Sequence, residues 1–183
     1  MQIKKRMLFF TYLLFFNSLI MIPQTDSKNN PYKKSNIFNA RDYELILKRI
    51  QSLSDSSKRQ WGTMVLSEMI EHCTIQLKMA LFEIQGTKNE GSFMLRTPFG
   101  RWMGLYGPRW KKGTITPSQM NIKKQTLTIK NLIEERTQLL NYLTIVLTKD
   151  HFQEHPIFGK LNKKDWGRLI WKHLDHHLRQ FDA

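Results

Sequence analysis

The chain has 183 residues, a formal net charge of +14, 40% apolar and 24% charged residues, and one cysteine. That composition is globular, not disordered, and the length suits one domain with a real core. The single Cys73 excludes an intrachain disulfide and any cysteine-rich zinc module, while the charge favours anionic partners or simply a well-solvated surface.

Residues 1–34 have the layout of a leader: Lys4, Lys5 and Arg6 precede the mostly apolar run Met7–Ile22. The run is interrupted by Thr11, Asn17 and Ser18, is short for a spanning helix, and is followed by no small-x-small cleavage site. It reads as an uncleaved anchor, a poor signal peptide or a leader from an early start codon. Residues 1–34 are therefore set apart from a domain at 35–183. A cytoplasmic location is expected, the alternative being tethering or export through residues 1–22.

The first helix is expected over Asp42–Leu53, with Tyr43, Ile46, Leu47, Ile50 and Leu53 at helical spacing and Asn39 as its cap. The polar stretch SDSSKRQ and then WGTM lead into a second helix, Leu66–Ile84. Its arc holds Met69, Ile70, Cys73, Leu77, Ala80, Leu81 and Ile84; Glu71 and Lys78 point away, and His72 lies beside the arc with Gln76 and Met79. From Gly86 to Ile122 no period holds, and aromatic residues (Phe93, Phe99, Trp102, Trp110) alternate with basic ones (Arg96, Arg101, Arg109, Lys111, Lys112). A connection this long is either a cover or anion-binding arm, or a surface loop packed down by its own aromatics.

A third helix is expected over Thr128–Leu147, with Ile129, Leu132, Ile133, Leu140, Leu143 and Leu147 inward and Glu134, Glu135 and Gln138 outward. HPIFGKLN then turns the chain into a final helix capped by Asn162 and running to Phe181. One face carries Trp166, Ile170, His173, His177 and Phe181, and the opposite face Arg168, Lys172, Asp175 and Arg179. Four amphipathic helices without a strand pattern give an all-α, four-helix bundle with a long loop between helices 2 and 3.

Two imidazoles four residues apart on one helix face can share a centre, and a divalent ion bound by neutral imidazoles needs that convergence. His173 and His177 have the spacing, and His72 on a neighbouring helix is the natural third ligand, leaving a coordination position open for water or substrate. The competing reading makes them core histidines that hydrogen-bond one another or a carbonyl. His176 falls on the rim of the face, half exposed or supporting a ligand from behind; His155 before Pro156 is a turn or packing residue; and Cys73 reads as a buried structural thiol, the alternative being a reactive or ligating one. Glu68, one turn before His72, orients it or acts as a general base, or else serves the helix N-terminus electrostatically.

The segments WGTM…EMIEHC at 61–73, HPIFGKLNKKDW at 155–166 and KHLDHHLRQF at 172–181 together resemble a bacterial family of unknown function in the DinB/YfiT-like superfamily. The resemblance covers Ser35 to Phe181. It implies a four-helix bundle with a divalent metal on His72, His173 and His177, the three that the helical spacing selects. It also implies chemistry of the superfamily's kinds, thiol S-transfer with a low-molecular-weight thiol or metal-dependent hydrolysis. The leader departs from the family pattern, as does Val65, which stands where relatives carry Ser or Thr at the helix cap.

The expected protein is thus a metalloenzyme holding Zn, Ni, Fe or Mn, whose expected partners are a small molecule or thiol and a second copy of the chain in a homodimer. The alternative is a non-enzymatic module that lays the basic aromatic loop 86–122 on nucleic acid or an anionic membrane. No nucleic-acid motif is recognisable, and a membrane would be met by the first reading only through the leader.

Overall fold

Asparagine caps set the start of three helices. Asn39, Asn131 and Asn162 each accept a backbone N–H three residues on, opening α1 (Ala40–Ser52), α4 (Leu132–Leu147) and α5 (Lys163–Gln180). Between them lie α2 (Leu66–Ala80) and a short α3 (Pro98–Tyr106). The computed structural model describes residues 34–86, 89–114, 116–122 and 131–183. The expected leader (Lys34 excepted) and the expected first residues of the third helix, Thr128 and Ile129, lie outside them. Among the described residues the protein is an all-α bundle, with five α-helices and no strand. None of the described helices is long and apolar enough to cross a membrane.

The four long helices stand close to where the sequence puts them, with two differences in extent. The second ends at Ala80 rather than Ile84, because the Ala80 carbonyl accepts the Gln153 amide from the segment before α5 and Phe82 turns to φ +66°. The third begins at Leu132. The stretch 86–122, expected without periodic structure, contains α3. Thr97 caps it through the Gly100 amide, Pro98 is in its first turn, and Gly107 closes it.

The helix α5 is the central one, packed against α1, α2 and α3. The polar face opposite the apolar one is buried as well. Arg168, Lys172 and Asp175 are as buried as Trp166 and Ile170 on the apolar side. Each is paired: Arg168 donates to the carbonyls of Leu105 and Ser35, and Lys172 Nζ to those of Gly104, Leu105 and Gly107. Asp175 lies between Arg49 at 2.9 Å and Arg179 at 3.0 Å. The carbonyl end of α3 is negative and short of partners, so two cations from α5 satisfy it. Burial, reinforced by Arg168, brings the Lys172 ammonium down to about 7.

The second helix is also buried nearly all round, Glu71 included. It packs against α4, whose inward face is Glu135, Leu139, Leu143 and Val146. Of the expected stripe Leu143 is buried and Leu132 and Leu140 pack against the core, but Ile133 is 68% exposed, and Glu135, expected outward, is buried. Burial raises the pKa of Glu71 against the pull of Lys78, and its hydrogen bond with Glu135 adds to the rise. A Glu71 carboxyl that holds its proton can enter this interface beside Glu135, where a carboxylate would be costly.

Candidate metal centre

His173 and His177 lie one turn apart on α5, and His72 comes from the middle of α2, which packs against it. All three are buried, and one nitrogen from each falls within 4.8 Å of the others. Ring centroids are 4.6 to 4.8 Å apart. His173 Nε2 is 2.9 Å from His72 Nε2. The group can hold a metal ion.

The tautomers are set from outside. His72 Nδ1 is 2.7 Å from the Met120 carbonyl, an acceptor only, so Nδ1 carries the proton and Nε2 the lone pair. His177 Nδ1 is 2.9 Å from Gln180 Oε1. The amide of Gln180 cannot be turned round, since its Nε2 donates to the Trp61 carbonyl at 2.8 Å. His177 Nε2 is therefore also a lone-pair nitrogen. Outer acceptors that fix an imidazole and raise its basicity are the usual support of a metal ligand. Burial is the main reason all three rings stay neutral: His72 is pushed down to about 4, and His173 and His177 are held well below the ordinary range, neighbouring histidines adding to the effect. Neutral imidazole is the form that binds a cation. His173 Nδ1 has no hydrogen-bond partner among the described residues. The 2.9 Å between His173 Nε2 and His72 Nε2 is a hydrogen-bond distance that a proton on His173 Nε2 fills, and three neutral imidazoles are equally a donor set that a metal ion fits.

The WG pair at 61–62 now has a physical role. Gly62 sits at φ +79°, and a Cβ there would fall 2.5 Å from Gln180 Nε2. A side chain at that position would be strained and would displace the amide that orients His177.

Beside the histidines is a cavity of about 390 Å³. His173, His176 and His177 reach its wall, as do Trp61, Trp110, Thr114, Pro117 and Met120. Part of the 86–122 segment thus covers the site, as one of the two readings of that stretch expects. Its cations Arg109, Lys111 and Lys112 are exposed and do not line the cavity.

His176, expected on the rim, is buried, with Trp61 and Trp110 at 5.8 and 6.1 Å from its ring. Both tryptophans come from outside the helices, which is why the helical wheel left it half exposed. His155 is a turn residue, its Nδ1 accepting the amides of Ile157 and Phe158, and burial pushes it down to about 3. Cys73 is a buried thiol whose pKa burial raises, with its Sγ 3.8 Å from Met69 Sδ. Glu68 Oε2 accepts the Val65 amide at 2.8 Å, a helix-capping role, and Glu68 does not line the cavity. Gln76 and Gln180 escaped sequence reasoning as site residues. Their places at i+4 from His72 and i+3 from His177 were the available signal.

Comparisons with curated proteins and with solved structures returned no match. A family model described as "Protein of unknown function (DUF1569)" matches residues 34–183, and the chain belongs to that family.

Proposed function

We propose that the protein is a metal-dependent enzyme of the DinB/YfiT-like kind, with a divalent ion on His72, His173 and His177. The observation that carries this reading is the convergence of three buried neutral imidazoles, two of them with Nδ1 tied to outer acceptors. Three nitrogen ligands suit Zn, Ni or Fe better than Mg or Ca. Such an ion supplies Lewis acidity, which makes a water or a thiol nucleophilic near neutral pH. The reaction classes that follow are thiol transfer and hydrolysis, on a small molecule admitted through the cavity. The chain's own part is to hold the ligands in one tautomer, to exclude bulk water with Trp61 and Trp110, and to position the substrate. Glu68 is not assigned a catalytic role, because its carboxylate is engaged at the start of α2.

The test is chelation followed by reconstitution. A chelator should lower the midpoint of thermal unfolding, and Zn, Ni, Fe or Mn should restore it, since an ion bound only by the folded state stabilises it by mass action. Assays of thiol transfer and ester or amide hydrolysis on the reconstituted protein then separate the classes. An unfolding midpoint indifferent to chelator and to added metal would leave the histidines as a hydrogen-bonded core.

A second reading is favoured by one observation. Phe93, Phe99 and Trp102 are 78, 66 and 54% exposed, with Met94 and Met103 exposed beside them. Apolar side chains this exposed protrude from the surface, and with the nearby cations Arg101, Arg109, Lys111 and Lys112 they suit the interface of an anionic bilayer. In this reading the segment docks the protein on a membrane. Sedimentation with vesicles containing anionic lipid should show binding lost in Phe99→Ser/Trp102→Ser. Equal binding by that variant would refute it.

A further inference from the structure

The cavity beside the histidines is walled mainly by Trp61, Met64, Trp110, Met120, Phe158 and Leu169. Among the described residues no Lys, Arg, Asp or Glu side chain lines it. In the metal-free protein an ion brought into such walls gives up its hydration without gaining a charged partner. At about 390 Å³ the space is at the small end of ligand sites.

Among the described residues three buried polar atoms of wall residues have no hydrogen-bond partner: Gln76 Oε1, His173 Nδ1 and His176 Nδ1. Gln76 lies one turn beyond His72 on α2, is 1% exposed and reaches the cavity. Among the described residues its Oε1 has no hydrogen-bond donor facing it, and it is the one acceptor of the three with no alternative tautomer. A buried amide oxygen left unpaired is costly, and nearly all such groups find partners in folded proteins. Its position one turn from a ligand histidine puts this acceptor next to the candidate metal centre.

We infer that the cavity takes a small, uncharged molecule with an aromatic or other apolar body, carrying an N–H or O–H donor that meets Gln76 Oε1. This rests on the metal reading for where the reactive end of the ligand lies, but binding of the body and donor does not require the ion. Gln76 is a substrate-positioning residue: it selects a donor-bearing ligand and holds it beside the three histidines. In the metal-free protein an anionic thiol or phosphate compound would have to leave its charged part outside the cavity.

The experiment uses three probes of one shape: benzamide, N,N-dimethylbenzamide and benzoate. Binding to the chelator-treated protein is followed by saturation-transfer NMR and calorimetry, so that coordination of benzoate by a metal plays no part. Metal content of the untreated protein is measured separately. Benzamide should saturate, with the dimethyl analogue and benzoate each weaker by about tenfold, the effect of one hydrogen bond or of one uncompensated charge. Gln76→Met should weaken benzamide by about tenfold and leave the dimethyl analogue unchanged, because only the former uses the oxygen. If that variant does not fold, the comparison of the two amides in the parent decides. Benzoate binding as tightly as benzamide, no difference between the amides, or no saturation by benzamide would each overturn the proposal. Metal retained with benzamide unbound sinks this inference alone; benzamide bound by a protein that never holds metal sinks the metal reading alone.

Discussion

Replacing Gln180 by Leu removes one side chain that performs two tasks. The residue is buried, its Nε2 donates to the Trp61 carbonyl at 2.8 Å, and its Oε1 accepts the His177 Nδ1 proton at 2.9 Å. Leu fills most of the volume, so the loss is polar. Two neutral hydrogen bonds contribute about 1 kcal/mol each, and a partner left buried without water costs about 1–3 kcal/mol. The metal-free protein should therefore lose about 2–4 kcal/mol, a large share of the roughly 5–15 kcal/mol typical of a domain. Freed from its acceptor, His177 can rotate or take the other tautomer. Loss of such an outer partner lowers metal affinity by about 10–100-fold. Urea unfolding of chelator-treated parent and variant measures the first effect, and competition against a chromophoric chelator measures the second. A variant destabilised as expected but with affinity within about twofold of the parent, well short of that loss, would show that Gln180 only packs and does not set the imidazole.

Gly62→Ala should act on the same amide from the other side. Its φ of +79° and the 2.5 Å approach of Gln180 Nε2 imply about 1–3 kcal/mol of strain, visible as a lowered thermal midpoint, with weaker metal binding alongside. Lys172→Met keeps the volume but leaves the carbonyls of Gly104, Leu105 and Gly107 without their ammonium donor. A loss of about 1–3 kcal/mol in urea unfolding is expected, whereas unchanged or raised stability would mean that desolvation of the ammonium outweighs its contacts. His155 predicts the sign of an acid response. Its folded pKa is lowered to about 3, below its unfolded value, so between roughly pH 6.5 and 3 the unfolded chain binds the extra proton and stability falls as pH falls. The slope from this one group is about 1.4 kcal/mol per pH unit near pH 5, and unfolding at pH 5 and pH 7 should show it removed in His155→Asn.

What could be read from the sequence was what depends on near neighbours along the chain. Asn39 and Asn162 cap the helices they were expected to cap, and the i, i+4 pair His173 and His177 meets His72 as the wheel indicates. The start of α4 carried the same kind of signal in Asn131 and Glu134, three residues inside the expected helix. The helix α3 went unseen because its pattern is inverted. Gly100, Gly104 and Leu105 face inward while Phe99, Trp102 and Met103 face out, and the ring of Phe158 fills the space a Cβ at Gly104 would need. Hydrophobic periodicity presumes an apolar inner face. Thr97, Pro98 and Gly107 still spelled out both ends.

The burial of Arg168 and Lys172 could not be read locally. It depends on the carbonyl end of a helix some sixty residues away in the chain, which gives two cations on the polar side of α5 somewhere to donate. The inward turn of Glu135 likewise depends on Glu71 across the α2–α4 interface. Polar residues on a helix surface read as solvent-facing until the partner that pairs them is known. His176 follows the same rule with Trp61 and Trp110 as the covering partners.

The most direct measurement is the metal content of untagged protein from cells supplied with zinc, nickel, iron and manganese. It is made on the parent and on His72→Ala, His173→Ala, His177→Ala and His176→Ala. The parent should carry about one ion per chain, and each of the first three variants should lose it, because two imidazoles hold a cation far less tightly than three. His176→Ala should keep its ion, since its ring is not one of the three convergent ligands. A parent without metal, or a His173→Ala protein with as much metal as the parent, would contradict the account.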